Sequence, residues 1–184
     1  MGVNGVKALL RLANLEQYID NYPPNDLRRE WPFEDYTATS LALETMYGSR
    51  GARGLELRAG RVGFSLGLKE FGPLLGLADL ALKLMPVTMK LKIVLNAVAQ
   101  TFDRFSDQSS HVEEKQQQFI YHMTRCSNCI ERPEPTATAY FARGIIEESI
   151  TWVSGGKLFT VNQCSCIGQG AVSCAFTIDK EPKM

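Results

Sequence analysis

The chain has 184 residues, 45% of them hydrophobic and 22% charged, and its 20 basic and 20 acidic side chains cancel to zero net charge. That is the size of one globular domain able to bury a core without structural disulfides. Neutrality and a pI of about 6.7 argue against a protein made to grip nucleic acid or anionic membrane, and the composition excludes disordered, coiled-coil and collagen-like chains.

In chain order, residues 4–19 are predicted as a short amphipathic helix, with Val6, Leu9, Leu10, Leu12, Ala13 and Leu15 at helical spacing. Residues 21–37 read as a loop around Pro23-Pro24, and residues 37–47 as a helix carrying Leu41, Leu43, Met46 and Tyr47. Gly48, Gly51, Gly54 and Gly60 then punctuate an arginine-rich stretch where a short strand over 54–58 is expected. A helix over 62–71 follows, and one or two helices around Pro86 fill 73–105. Residues 71–98 are the longest apolar region, but Asp79, Lys83, Pro86, Lys90 and Lys92 interrupt it, so buried helices and no membrane span are expected.

After Ser106 the pattern changes. Residues 112–124 read as a strand, CSNCIERPEPT as a loop and residues 136–156 as a helix that Gly155-Gly156 terminates. KLFTVNQCSC and AVSCAFTID alternate with period two around Ile167-Gly168-Gln169-Gly170, which predicts a β-hairpin. The fold class is therefore α+β: a helical N-terminal half, then an antiparallel sheet with helices packed on one face, all in a single domain.

All five cysteines, Cys126, Cys129, Cys164, Cys166 and Cys174, follow residue 125. An odd number in one third of the chain is unlike the even framework of a secreted disulfide protein. The N-terminal residues also lack the succession of a secretory leader, so a cytoplasmic, reduced protein is expected. Two thiolates from the Cys126-Ser-Asn-Cys129 knuckle and two from Cys166 and Cys174 on the hairpin arms would make a tetrahedral zinc site. His122 could replace one of them, and Cys164 is left over on the same strand face as Cys166. The competing reading is that Cys166 and Cys174 are small buried hydrophobes.

Phe119, Tyr121, Tyr140, Phe141, Trp152 and Phe176 fall on the three C-terminal elements that should pack together. They form the candidate lining of a pocket for a flat or apolar ligand, against the plainer reading of simple core. Arg50, Arg53, Arg58 and Arg61 could hold an anion, but a solvated turn is the favoured reading. Glu113-Glu114 and Glu147-Glu148 read as solvent-facing. With only two histidines, no Ser-His-Asp arrangement is visible, and no nucleotide cofactor is indicated because neither a Walker loop nor a GxGxxG pattern appears.

Cys126-x2-Cys129, Tyr140-Phe141-Ala142-x-Gly144, Gly155-Gly156 and above all Cys166-x3-Gly170-x3-Cys174-x-Phe176 resemble the 4-vinyl-reductase-type domain. The resemblance spans roughly residues 41–180, with its motifs at 110–180 and residues 1–40 as a helical extension. It implies a fold shared with TRAPP subunits, a homodimer and a small hydrophobic ligand. One branch of that family is linked to vinyl reduction in bacteriochlorophyll biosynthesis. Another is the aromatic-sensing domain of transcriptional activators, where three Cys and one Glu hold zinc. Here Gln163 stands where that Glu falls and Ala139 where one Cys falls, while Cys166 and Cys174 match. The two missing ligands would be Cys126 and Cys129, or Cys164 and His122, unless the metal is lost. The expected function is a non-enzymatic binding domain for a hydrophobic, aromatic or tetrapyrrole-related molecule. The alternatives are a TRAPP-like dimeric scaffold and a vinyl reductase or its accessory factor.

Overall fold

A computed structural model describes residues 1–73, 84–129 and 139–183. Helix α1 spans Val3–Leu12, α2 Phe33–Phe71, α3 Val87–Phe105 and α4 Tyr140–Val153, and the strands are β1 Ser109–Glu114, β2 Gln118–Arg125, β3 Phe159–Ser165 and β4 Cys174–Pro182. The strands form one antiparallel sheet in the order β1-β2-β4-β3. The α+β class is as the sequence indicates.

The sheet has one buried and one wetter face. Phe119, Tyr121 and Met123 on β2 pair with Ile178, Phe176 and Cys174 on β4. All six are buried and join α3 and α4 in the main core with Leu91, Val94, Leu95, Ile146 and Ile150. The intervening residues, such as His122 and Thr177, face the other way. This is the period-two alternation of an antiparallel sheet covered on one side. A smaller apolar cluster joins α1 to the first part of α2 through Leu9, Leu10, Ala13, Leu15 and Ala42.

Three elements differ from the sequence reading. First, α1 stops at Leu12 because Asn14 turns left-handed at φ 57°, and a short 3-10 turn over Glu16–Tyr18 follows. Second, the end of the expected loop from Phe33 onward, the strand over 54–58 and the two helices beside it are one helix, α2, kinked at Gly48 with φ 67°. Its glycines are not loop punctuation. A Cβ on Gly60 would overlap the Phe141 carbonyl, and a Cβ on Gly144 would overlap the Leu57 carbonyl. Reciprocal glycines thus let α2 and α4 cross at backbone contact, and tertiary packing overrides the helix-breaking tendency of glycine. Third, the strand over 112–124 is two strands, β1 and β2, folded back on each other through residues 115–117.

The C-terminal elements follow the sequence closely. Gly155 and Gly156 both take positive φ, and the Gly156 N–H donates to the Thr151 carbonyl at 2.8 Å, closing α4. Gly170, at φ 86°, closes the 3-10 turn between β3 and β4. The first part of the expected helical stretch 73–105 and most of the CSNCIERPEPT loop lie outside the described residues.

Candidate functional site

An apolar cavity of about 220 Å³ lies between the helices and the buried face of the sheet. Trp31 walls it from just before α2, Phe33 and Tyr36 from the start of α2, Val98 and Phe102 from α3, and Tyr121 and Met123 from β2. Cys126, Ser127 and Asn128 close it from the knuckle after β2, and Phe141, Ala142, Ile145 and Ile146 from α4. Val98, Phe102, Phe141 and Ile145 also wall a second apolar chamber of about 210 Å³ between α2 and α3. Among the described residues, no charged side chain lines the first cavity.

Its polar edge is small and mostly committed. Gln108 Nε2 donates to Ser110 Oγ at 2.7 Å and to the Tyr121 hydroxyl at 3.4 Å. Burial holds the Tyr121 phenol well above its ordinary range, so it stays protonated. Ser106 Oγ donates to the Phe102 carbonyl at 2.7 Å.

Of the six aromatic residues singled out in the sequence, Tyr121 and Phe141 line this cavity. Phe119 and Phe176 are fully buried in the core. Tyr140 lies under the Arg53 guanidinium at 5.5 Å, and Trp152 is 38% exposed beside Phe64. Sequence reading missed Trp31, Phe33, Tyr36, Phe102, Met123 and Asn128. The Trp31-Pro32-Phe33 run carried a signal, since large aromatics seldom cluster in a solvated loop, but it fell in a segment assigned to loop.

A second cluster adjoins the cavity through Cys126. Cys129 Sγ lies 3.3 Å from Cys174 Sγ and 3.5 Å from Cys166 Sγ, and Cys174 Sγ is 3.9 Å from Cys166 Sγ. The sulfurs of Cys126, Cys129 and Cys174 all lie within 4.8 Å of one another. The Cys129 N–H donates to the Cys126 carbonyl at 3.0 Å, which closes the knuckle, and the Ile167 N–H donates to Cys174 Sγ at 3.3 Å. Cys129 is held as the thiolate, far below the ordinary thiol range, because the thiols of Cys126 and then Cys174 donate to it. The Cys126 thiol is pushed up to about 12, first by its bond to Cys129. Burial, then the neighbouring Cys129, pushes Cys166 up.

Cys164 does not share the Cys166 face. It follows Asn162 outward and is exposed, and the register shift between Gln163 and Ser165 puts Cys166 on the buried face instead. His122 is also outside the cluster. It stacks on His111 at 4.6 Å, and its Nδ1 lies 3.2 Å from Ser173 Oγ. Arg50, Arg53, Arg58 and Arg61 lie on the exposed flank of α2, a helix and not a turn. Glu147 is not free in solvent, because it pairs with Arg61 at 2.6 Å and Arg143 at 2.8 Å.

No protein-family model matches the chain, and no curated protein matches it. Solved structures do. The Fe(II) unliganded H-NOX protein from K. algicida superposes with TM-score 0.61 at 13% identity, over 98% of this chain and 90% of that one. The H-NOX protein from S. oneidensis in the Fe(II)NO state superposes with TM-score 0.58 at 10% identity, over 98% and 97%. At such identities the likeness establishes the fold alone.

These findings correct the family expectation: the fold neighbours are H-NOX proteins, not 4-vinyl-reductase-type domains or TRAPP subunits. The vinyl-reductase reading goes with it. The zinc expectation is corrected as well, since the metal named in the neighbours is iron. Locally, Gln163 does not act as a lost ligand position. Its Oε1 accepts from the Ala139 N–H at 3.3 Å and its Nε2 donates to the Ser165 carbonyl at 3.1 Å. Among the described residues, no helix is long and apolar enough to cross a membrane.

Proposed function

We propose that this chain is a small-molecule-binding domain built on the H-NOX fold, and that its cavity takes an apolar, aromatic-sized organic ligand. The observation that carries this reading is the cavity itself. Protein interiors are close-packed, and an apolar void left among aromatic and aliphatic side chains is a space that binds an apolar guest. The two chambers, which share Phe102 and Phe141 in their walls, together reach the lower part of the roughly 300–1,000 Å³ range of small-molecule sites.

The neighbours' iron tests the alternative that the cavity holds a metal centre. Iron, alone or in a haem, needs a protein donor such as His, Cys, Met or Tyr. Both histidines sit on the opposite face of the sheet and the Tyr121 phenol stays protonated, which leaves the sulfurs of Met123 and Cys126 as the donors on the cavity wall. The cavity's donor set therefore does not fit an imidazole-held iron, and an organic ligand is favoured.

The thiol cluster supports a second reading. A tetrahedral four-sulfur set with metal–sulfur bonds of about 2.3 Å has edges of about 3.8 Å. The three edges of the Cys129, Cys166 and Cys174 face, 3.3, 3.5 and 3.9 Å, bracket that value, and Cys126 lies within 4.8 Å of Cys129 and Cys174. We propose that Cys126, Cys129, Cys166 and Cys174 are where this chain would hold iron, as four thiolates on one ion. Anaerobic addition of Fe(II) should give one bound iron per chain and a thiolate charge-transfer band after oxidation. Free titration of all five thiols in the presence of iron would refute it.

The cavity reading is tested by thermal unfolding in the presence of toluene and naphthalene. Saturable rises in Tm are expected for the unmodified chain and not for Ala142→Trp, which fills the cavity. No rise with either compound would contradict the proposal.

A further inference from the structure

Asn128 is only 2% exposed and is one of the residues lining the cavity. Among the described residues, its Nδ2 is the one buried side-chain nitrogen or oxygen without a hydrogen-bond partner. Folded proteins seldom leave a buried amide N–H unsatisfied, and a group so left points to a partner that joins the site. The side chain cannot relieve itself by swinging out. It sits mid-way along the Cys126–Cys129 knuckle, which the Cys129 N–H to Cys126 carbonyl bond closes at 3.0 Å. The Thr37 hydroxyl donates to the Ser127 carbonyl at 2.5 Å and ties that knuckle to α2.

Two other polar groups on this wall are already committed. Gln108 is spent on Ser110 and Tyr121, and Ser106 on the Phe102 carbonyl. A charged ligand is disfavoured because no charged side chain among the described residues lines the space, and an ion would lose its hydration without a counter-charge.

We infer that the cavity selects an uncharged, apolar molecule carrying a carbonyl-type hydrogen-bond acceptor, and that the Asn128 side-chain amide is the donor that recognises it. The inference rests on the reading of the cavity as a ligand site. Asn128 is a specificity residue: the aromatic walls take the body of the ligand, and the amide distinguishes molecules of one shape by a single oxygen. A site built to hydrogen-bond its ligand discriminates against the analogue lacking that group more sharply than an apolar wall discriminates size, because the unpaired group remains buried.

The test uses a shape-matched pair, acetophenone and ethylbenzene, titrated into the full chain by calorimetry. Apolar transfer alone favours ethylbenzene, so the quantity read is the ratio of the two affinities. In Asn128→Leu the acetophenone-to-ethylbenzene ratio should fall roughly tenfold from that of the unmodified chain. Asn128→Asp, which keeps the size but presents acceptor oxygens, should lower it at least as far and serves if the leucine variant does not fold. An unchanged ratio in a folded variant would overturn the role of Asn128 while leaving the cavity reading in place. Failure of both compounds to bind the unmodified chain saturably would overturn the cavity reading and this inference with it.

Discussion

The cavity and the thiol cluster share one short knuckle, yet they are built in opposite ways. The cluster draws on two local motifs, Cys126-x2-Cys129 and the hairpin pair Cys166 and Cys174, and on one kind of atom. The cavity draws on α2, α3, β2, the knuckle and α4, and its walls are side chains that any core would use. Sulfur chemistry requires particular atoms at particular spacing and so leaves a mark on sequence. Apolar recognition requires an absence of atoms among ordinary core residues, and that is decided only when distant elements meet.

The largest expected effect breaks the crossing that holds one wall of the cavity. Gly144→Val would drive its Cβ into the Leu57 carbonyl of α2, and chemical denaturation should show a loss of about 3 kcal/mol. Gly54→Ala is the contrast. Nothing lies within 4 Å of a Cβ there, and the substitution on the exposed flank of α2 should gain about 0.5–1 kcal/mol. A similar loss at both positions would mean that helix propensity, not the α2–α4 crossing, sets the stability of this region.

Next in size is the separation of the two sites. Ala142→Trp should weaken binding of naphthalene at least tenfold and leave iron uptake by the thiols unchanged. Cys129→Ser should do the reverse, since Cys129 is the sulfur that approaches both Cys166 and Cys174. Cys164→Ser, on an exposed side chain turned out of the cluster, should alter stability by less than about 0.5 kcal/mol and leave iron uptake intact. Loss of metal in Cys164→Ser, read by elemental analysis, would break the comparison.

The smallest effect lies far from both sites. Lys180 and then Lys92 hold the Glu114 carboxyl at about 2, below its ordinary 4.5. A depressed carboxyl stabilises the fold above its unfolded value and loses that contribution as pH falls through the folded one. The Tm difference between the unmodified chain and Glu114→Gln should therefore be small at pH 7 and vanish by about pH 2. Glu114 is solvent-exposed, so screening keeps the difference modest. A difference that grows on acidification would contradict the pairing.

The same contrast explains how far the sequence could be read. Helix α4, its stop at Gly155-Gly156 and the hairpin around Gly170 follow from local periodicity and turn chemistry, and the structure holds all three. Local pattern divides helix α2 because Gly51, Gly54 and Gly60 read as breakers. Only the partner helix reveals that Gly60 is small to admit the Phe141 carbonyl. The side of Cys164 was misjudged for a related reason, since a bulge between Gln163 and Ser165 is invisible to a period-two count. Asn128 lay in plain view between two singled-out cysteines, but an unsatisfied amide is a property of the packed interior and not of the motif. The family expectation failed where short Cys and Gly patterns were asked to stand for a whole fold. The backbone arrangement, matched over 98% of the chain to an H-NOX protein, is the broader comparison.

The central claim is that the space between Tyr121, Phe141 and Ile146 is a ligand site and not a packing flaw. A crystal of the protein soaked in bromobenzene tests it most directly through the anomalous signal of bromine. The account predicts one strong bromine peak inside the cavity, bounded by those three side chains, with the surrounding backbone unmoved. An empty cavity closed by collapse of Phe102 or Phe141, with bromine found only on the surface, would contradict it.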